Sequence, residues 1–271
     1  MKREKKNAGR EAFEQYYMQQ FGERWYALKE ALLKEPHAVP FFAGGAKTYY
    51  LDQASVYAAQ ALPALKAGRC LDMCAAPGGK TLVLALQMGI GVQITANELS
   101  RARRMRLSNV LEEHLPKEQR ERITVTGFDA AVLPRLQTAC YDRILLDAPC
   151  SSERHVFADP QYLNVWTAAR VKNLAYRQWA LLSAAFLLLK TGGFLVYATC
   201  ALADAENDAI IAKLLKKYGE SVTVREPEML HGGEKTSFGY RFLPDTCGGA
   251  GPLFFALLEK NTTATVGFKE R

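Results

Sequence analysis

Two cysteines follow short apolar segments that have the character of buried strands. Cys150 comes just after Asp147 at the end of YDRILLDAP, and Cys200 ends the segment GGFLVYATC. A buried cysteine most often serves as a small apolar filler. A thiolate is also a strong nucleophile that can form a covalent intermediate with a bound substrate. The residues around the two cysteines decide between packing and chemistry.

Further chemically active side chains stand at or just beyond the ends of apolar segments. The predicted strands are GRCLDM, GVQITANE, RITVTGFD, YDRILLDAP and GGFLVYATC. They alternate with helical patterns, which favours an α/β fold with a doubly wound, mostly parallel sheet. The residues at the strand ends are Asp72, Glu98, Asp129, Asp147, Cys150 and Cys200. Because ligands bind at the carboxyl ends of parallel strands, we expect one site at that edge.

The segment LDMCAAPGGKTLVLAL combines a strand, a glycine-rich turn and a helix. It differs from the phosphate-binding pattern G-x-x-x-x-G-K-T because Cys74 replaces the first glycine. The charge of Asp72 would also repel a phosphate. A P-loop nucleotide hydrolase is therefore kept only as an alternative.

The same turn suits a ligand that carries a carboxylate. Gly78 and Gly79 let a ligand approach the backbone at a helix start, where free amides can bind an anion. Glu98 follows the next strand, at the place of a carboxylate that takes both ribose hydroxyls. A ligand with a ribose, an adenine and a carboxylate but no phosphate fits these residues. S-adenosylmethionine is such a ligand.

Length and composition are those of an enzyme-sized globular protein. The chain has 271 residues, of which 49% are hydrophobic and 23% charged. No apolar run approaches the roughly 20 residues of a membrane-spanning helix, so we expect no membrane partner. The N-terminal segment MKREKKNAGREAFEQYY lacks the apolar core of a secretory signal, and its acidic residues argue against a transit peptide. We therefore expect a cytoplasmic protein.

The cysteines and the net charge add two expectations. The chain has six cysteines, no CxxC pair and no histidine at ligand spacing, so we expect neither a metal site nor a disulfide framework. The formal net charge of +7 favours a polyanionic partner.

The segment before the predicted sheet has a different character. Apolar residues recur at helical spacing over residues 11–34, which predicts one amphipathic helix that Pro36 and Pro40 end. The aromatic segment PFFAGGAKTYYLDQAS predicts a loop or a short hairpin. We expect a helical, RNA-binding N-terminal extension at residues 1–60 and the main domain at residues 61–271.

Three motifs in order resemble those of a known family. LDMCAAPGGKT, LLDAPCSS and YATCALADAEN are similar to motifs I, IV and VI of the RNA cytosine-5 methyltransferases of the Nop2/Sun family, which includes RsmB-like and RsmF-like enzymes. YLDQASVYAAQAL resembles the segment before motif I, and RFLPDTCGGAGPLFFALLEK resembles the closing hairpin. ANELSRARRMRL and DAPCSSERH are most similar to the mitochondrial-type ribosomal RNA member.

This resemblance implies a Rossmann-like class I methyltransferase that uses S-adenosylmethionine and an RNA substrate. It favours ribosomal RNA, with transfer RNA as the alternative. Non-catalytic RNA binding on the same fold is a further alternative, against which the retained motifs argue. We expect a monomer, with an adaptor protein as an additional partner that could compensate for the short N-terminal extension.

The resemblance also implies roles for the catalytic residues. Carbon 5 of cytosine is a poor nucleophile until a thiolate adds to carbon 6. The family pattern assigns this attack to Cys200 and product release to Cys150. The chemistry itself indicates the other roles: Asp147, at the end of its strand, would hold the amino group and nitrogen 3 of the base. Lys80 and Arg154 are the candidates for the positive charge or base that a thiol needs in order to ionise.

The family pattern likewise implies the cofactor site. The loop after the first strand would line the methionine part, Glu98 would bind the ribose, and Asp129 would lie near the adenine. The implied cofactor residues are Cys74, Ala75, Ala76, Pro77, Gly78, Gly79, Lys80, Glu98, Arg103, Asp129 and Asp147. The remaining thiols, Cys70, Cys140 and Cys247, are expected to pack.

Overall fold

The computed structural model describes residues 2–228 and 232–261. Its α-helices are α1 (Lys2–Phe21), α2 (Arg24–Leu33), α3 (Gln53–Gln60), α4 (Gly79–Gln87), α5 (Arg101–His114), α6 (Lys117–Arg120), α7 (Glu153–Ala158), α8 (Pro160–Asn164), α9 (Ala168–Leu188) and α10 (Asp208–Tyr218). Short 3-10 helices span Leu133–Arg135, Asp204–Glu206 and Gly219–Ser221. The C-terminal residues 262–271 of the predicted main domain lie outside the described residues.

The strands form a hairpin and a large sheet. They are β1 (Ala38–Phe41), β2 (Tyr49–Asp52), β3 (Ala67–Asp72), β4 (Gly91–Asn97), β5 (Ile123–Thr126), β6 (Tyr141–Asp147), β7 (Leu189–Thr199), β8 (Val222–Arg225), β9 (Glu234–Lys235), β10 (Tyr240–Phe242) and β11 (Leu253–Lys260). The nine-stranded sheet has the order β5-β4-β3-β6-β7-β11-β10-β9, and β8 also pairs with β11.

The sheet is doubly wound, as predicted. Strands β3 to β7 pair in parallel in the order β5-β4-β3-β6-β7. The strand order therefore reverses between the neighbouring strands β3 and β6. Side chains alternate between two apolar cores: Cys70 on β3 lies in the core with α4, and the next residue, Leu71, lies in the core with α9. A crevice at the carboxyl ends of β3 and β6 is where such folds bind ligands.

The structure confirms the predicted strands and corrects one predicted helix. The five predicted strands are β3 to β7, and the predicted closing hairpin is the antiparallel pair of β10 and β11. The segment PFFAGGAKTYYLDQAS contributes to the hairpin of β1 and β2 and the start of α3. The single helix predicted over residues 11–34 is wrong, because Gly22 has φ +58° and separates α1 from α2.

The N-terminal helices pack onto the segment that follows Cys150. Phe13 on α1 stacks on Phe157 of α7 with 5.6 Å between ring centroids and meets Trp166 edge-on at 5.3 Å. Phe13 and Trp25 are fully buried. Burying a side chain of this size stabilises a fold by about 1.5 to 3 kcal/mol, so α1 and α2 are firmly attached to this part of the main domain. The domain boundary at residue 60 and the role of the N-terminal extension in RNA binding stay predictions.

Among the described residues, no helix combines the length and the apolar character that a membrane span requires.

Candidate active site

The predicted functional residues collect at the carboxyl edge of the sheet. Asp72 at the end of β3 lies in register with Ala96 of β4 and with Leu145 of β6. Asp147 at the end of β6 pairs with Ala198 of β7. The loops that follow these strand ends therefore face one crevice.

The two cysteine side chains meet there. The Sγ atoms of Cys150 and Cys200 lie 2.8 Å apart, and the Ser152 hydroxyl lies 3.3 Å from Cys200 Sγ. The hydrogen bond from Cys150, with a further one from Ser152, lowers the pKa of the Cys200 thiol despite its burial. The same contact and burial raise the pKa of Cys150 well above its ordinary value. Of the two thiols, Cys200 therefore loses its proton more readily, and Cys150 keeps its proton more firmly.

Lys80 and Asp147 form an ion pair beside the cysteines. Lys80 Nζ donates to Asp147 Oδ2 at 2.8 Å and to Ser55 Oγ at 3.1 Å. Burial lowers the pKa of Lys80, but the charge of Asp147 and its hydrogen bond outweigh burial and raise it. Lys80 consequently stays an ammonium and cannot accept a proton.

A cleft of about 660 Å³ opens over Cys200, and it is lined also by Ser152, Arg154 and Pro252. Its size falls within the usual range for small-molecule sites. Arg154 donates to the carbonyl oxygens of Lys34 and Gly249, each at 3.1 Å. Arg154 was one of the two cations predicted to activate a thiol, but its hydrogen bonds tie α2 to the loop at Gly249. The hydrogen bonds to Cys200 come from Cys150 and Ser152.

A second pocket lies at the start of α4. The predicted residues that line it are Cys74, Ala75, Ala76, Pro77, Gly79, Lys80 and Asp147. Ser55, Lys80 and Asp147 line this pocket and also the cleft over Cys200. A group bound in the pocket would thus meet a group bound in the cleft across these side chains.

Asp72 also lines this pocket. One carboxylate oxygen accepts from Thr81 Oγ1 at 2.7 Å, and the other is buried without a partner among the described residues. Burial raises the pKa of Asp72 to about 7. A ligand that carries an ammonium group would supply the missing partner and favour the ionised carboxylate.

Gly78, which was also predicted to bind the cofactor, is not among the residues that line this pocket. Its position in the turn requires glycine for backbone reasons. It precedes α4 with φ +123°, and a Cβ atom there would come within 2.9 Å of Val110 on α5. The turn and the close packing of α5 both require glycine.

Glu98 and Arg103 form the next part of the site. The buried Glu98 accepts from the Ser100 amide at 2.8 Å and pairs with Arg103 at 3.1 Å. Arg103 also donates to the Ala76 carbonyl oxygen at 2.7 Å. Arg103 therefore links Glu98 to the glycine-rich loop, which is the neighbourhood that the sequence predicted.

An apolar slot continues from Glu98. Phe128 and Leu99 are about half exposed at its mouth, and Pro149 and Leu181 also line it. These side chains suit the two faces of a flat ring such as adenine.

Asp129 lies beside this slot but is already paired. Its carboxylate accepts from Arg177 at 2.7 Å and from the Ala131 amide at 3.1 Å. The hydrogen bond from Arg177 lowers the pKa of Asp129. Phe128 and Ala130, on either side of Asp129, line the slot together with Arg177. Asp129 would thus approach an adenine amino group only next to Arg177, a neighbour that the sequence did not indicate.

Buried carboxylates lie behind the two cysteines. Glu153 accepts from Tyr17, from Ser151 and, at 3.0 Å, from the Leu202 amide. It therefore joins α1 to the loops that carry Cys150 and Cys200.

Glu206 forms the other part of this network. It accepts from the Ser151 amide at 3.0 Å and from Gln178 at 2.6 Å. Burial, reinforced by the charge of Glu153, raises the pKa of Glu206 to about 7. The two carboxyl groups hold the cysteine loops from within the fold.

The remaining thiols lie in the apolar cores. Cys70 is fully buried, and Cys140 and Cys247 pack partly buried against the two cores. Burial raises the pKa of the Cys70 thiol far above its ordinary value, so it stays protonated.

A protein family described as 16S rRNA methyltransferase RsmB/F matches residues 59–259, which include every strand of the parallel sheet. The chain belongs to this family.

Curated relatives of this RsmB/F family member include the 5-cytosine rRNA methyltransferase NSUN4 of Bos taurus. It is 32% identical over 236 residues, which cover 80% of this chain and 61% of the relative. The ribosomal RNA small subunit methyltransferase F of Erwinia tasmaniensis is 38% identical over 175 residues, which cover 64% of this chain and 36% of the relative. The chain thus spans less than two thirds of the length of these relatives.

Two solved structures have the same fold as this RsmB/F chain. NSun6 from Pyrococcus horikoshii with SFG has a TM-score of 0.70 and 26% identity, covering 83% of this chain and 57% of that one. A methyltransferase homolog from Pyrococcus horikoshii has a TM-score of 0.71 and 23% identity, covering 91% of this chain and 93% of that one. The fold is the Rossmann-like fold of the S-adenosylmethionine-dependent methyltransferases.

Several residues of this RsmB/F site escaped the sequence analysis. Glu206 stands within the segment YATCALADAEN, where its place shortly after Cys200 was the available signal. Glu153 had a similar signal, because it stands within the segment DAPCSSERH shortly after Cys150. Ser55 and Arg177 lie on the helices α3 and α9 and come near the site only through tertiary packing.

Proposed function

We propose that this chain transfers a methyl group from S-adenosylmethionine to carbon 5 of cytosine in RNA. One observation carries the proposal: the Cys200 thiol, whose pKa is lowered by its hydrogen-bond partners, lies in a cleft that meets a cofactor-like pocket across Lys80 and Asp147. The printed names of two relatives, both rRNA methyltransferases, support ribosomal RNA as the substrate class.

The residues present fit the cofactor. Glu98 would take the ribose hydroxyls, the slot between Leu99 and Phe128 would hold the adenine, and the unpaired oxygen of Asp72 would accept from the amino group. The related NSun6 structure contains SFG, an analogue of S-adenosylmethionine. When bound, the cofactor supplies an electrophilic methyl group on a sulfonium.

Cys200 opens the reaction. Its thiolate adds to carbon 6 of the bound cytosine, and the electron pair of the double bond between carbons 5 and 6 moves toward carbon 4 and nitrogen 3. Asp147 accepts from the amino group of the base, and the Lys80 ammonium opposes the charge that develops on the ring. Carbon 5 then becomes nucleophilic enough to take the methyl group.

Cys150 closes the reaction. Once Cys200 is bonded to carbon 6, its negative charge is gone, and the contact that raised the pKa of Cys150 no longer opposes ionisation. Cys150 can then lose its proton to solvent and accept the proton of carbon 5. The double bond between carbons 5 and 6 re-forms as the bond from Cys200 to carbon 6 breaks.

The alternative functions have less support. A P-loop hydrolase would place a phosphate next to Asp72, whose unpaired carboxylate oxygen lies in the same pocket. No contact in the described residues favours transfer RNA over ribosomal RNA. A monomeric state, an adaptor protein and a cytoplasmic location stay predictions.

The test is a methylation assay with the full chain. Purified protein, S-adenosylmethionine with a labelled methyl group, and either ribosomal or transfer RNA are incubated, and the nucleosides are separated. We expect label in 5-methylcytosine from ribosomal RNA, loss of label with Cys200→Ala, and full activity with Cys247→Ala. Label in any other nucleoside, or none with the unmodified chain, would overturn the proposal.

A further inference from the structure

Ser152 has a backbone conformation that its residue type disfavours. Its φ of 53° and ψ of 59° lie in the left-handed region, and in the described part of the chain only Ala139 shares a positive φ among residues other than glycine. A left-handed backbone is strained for a residue with a Cβ atom. A favourable interaction of the Ser152 side chain would offset this strain.

The usual reason for serine at this position does not apply. Ser152 is the N-cap residue of α7, where a serine hydroxyl normally accepts a hydrogen bond from a backbone amide of the first turn. The Ser152 side chain makes no such bond. Its hydroxyl faces the cysteines instead, 3.3 Å from Cys200 Sγ and 3.5 Å from Cys150 Sγ.

The single proton of this hydroxyl has three acceptors within reach. They are Cys200 Sγ, Cys150 Sγ and the carbonyl oxygen of Cys150, the last at 3.4 Å. A hydrogen bond to a charged acceptor is the strongest of these. Cys200 Sγ is the nearest of the three acceptors, and it belongs to the thiol of the pair that ionises more readily.

We propose that Ser152 is a further residue of the catalytic apparatus, whose hydroxyl donates to the Cys200 thiolate and holds it in place for attack on the base. The proposal rests on the proposed function for the assignment of Cys200 as nucleophile. The hydrogen bonds from Ser152 and Cys150 favour the charged form of Cys200. The hydroxyl is also within reach of Cys150, so it can donate there after Cys200 has bonded to the base.

Replacement by glycine separates this role from a purely structural one. Ser152→Gly removes the hydroxyl and relieves the backbone strain, so it should raise the melting temperature while it weakens the nucleophile. Ser152→Ala removes the hydroxyl but keeps the Cβ atom and the strain. Ala139→Gly is the matched control, because it relieves the other left-handed residue without touching the site.

The readout is the ionisation of Cys200 itself in the full chain without RNA. Alkylation by iodoacetamide is followed across the pH range in which thiols ionise, and the Cys200 peptide is quantified by mass spectrometry. We expect both Ser152 variants to raise the apparent pKa of Cys200 by about half to one unit, which is about 3- to 10-fold less thiolate at neutral pH. Ala139→Gly should leave it unchanged.

Methyl transfer should follow the same pattern. Both Ser152 variants should lower kcat at neutral pH by a similar factor, with KM for S-adenosylmethionine unchanged and a deficit that narrows as the pH rises. An unchanged Cys200 pKa in both variants would overturn the proposal, as would a normal pKa in Ser152→Gly alone, which would assign the effect to the backbone. Because alkylation needs no RNA, failure of the proposed function would appear separately, as absence of methylation by the unmodified chain.

Discussion

Cys150 Sγ and Cys200 Sγ lie 2.8 Å apart although 50 residues separate them in the chain. Their proximity follows from the parallel pairing of β6 with β7, in which Asp147 lies opposite Ala198. A thiol that donates to a thiolate stabilises one negative charge and leaves its own proton in place. The pair therefore holds one nucleophile and one acid, and the two cysteines should fail differently when they are replaced.

Replacement of each cysteine by alanine tests this division. Cys150→Ala should methylate once and remain attached to RNA, because only the final elimination loses its base. Cys200→Ala should form no covalent complex, because the first bond cannot form. A denaturing gel with labelled RNA and S-adenosylmethionine would show a slow band for Cys150→Ala alone. A slow band for Cys200→Ala would reverse the assignment.

Glu98 should contribute strongly to cofactor binding. Its carboxylate is buried and held by Ser100 and Arg103, so it is already positioned for the ribose. We expect Glu98→Ala to weaken binding of S-adenosylhomocysteine by about 1 to 3 kcal/mol, measured by calorimetry. Glu112→Ala is the control, because the Glu112 carboxylate is exposed on α5 and pairs with Arg120. Equal affinities for both variants would remove Glu98 from the cofactor site.

Glu206 should make stability depend on pH. Its pKa is about 7 in the fold against an ordinary value of 4.5. Between these two pH values the native state keeps the proton of Glu206, whereas the unfolded chain has lost it. The contribution of Glu206 to the free energy of unfolding is therefore complete below pH 4.5 and is lost as the pH rises through about 7.

Glu206→Gln mimics the protonated carboxyl at every pH. We expect equal stability of the two proteins near the low end of this range and an advantage of about 1 to 3 kcal/mol for the variant above it, measured by urea unfolding. Asp72 titrates in the same direction but is present in both proteins, so it cancels in the difference. A difference that does not change with pH would contradict the assignment.

Tyr17 tests whether α1 supports the cysteine loops. Its buried hydroxyl donates to Glu153, whose other oxygen accepts from the Leu202 amide just after Cys200. Tyr17→Phe should lower the free energy of unfolding by about 1 to 3 kcal/mol, because a buried carboxyl group loses a donor. It should also lower kcat more than Tyr26→Phe, a control at an exposed position. Unchanged stability and kcat would make α1 independent of the site.

The sequence by itself determined the sheet and the identity of its ligand edge. Strands β3 to β7 are short apolar segments, and the carboxyl halves of β3, β4, β6 and β7 are mostly buried, which is why their positions were predictable. The motifs around Asp72, Glu98, Asp147, Cys150 and Cys200 follow those strands directly. Since parallel strands align their carboxyl ends, the order of the motifs already implied that these residues meet.

Tertiary structure alone decided what surrounds the nucleophile. Gly22 interrupts a continuous helical pattern, and beyond the break Trp25 of α2 packs on Phe13 and Tyr17 of α1. The hydrogen bond from Tyr17 to Glu153 joins residues that are 136 positions apart in the sequence. The pairing of Arg177 with Asp129 and the left-handed turn at Ser152 likewise depend on long-range packing. Local patterns report periodicity and propensity, whereas the charge state of a thiol depends on which donors the whole fold brings within hydrogen-bonding distance of it.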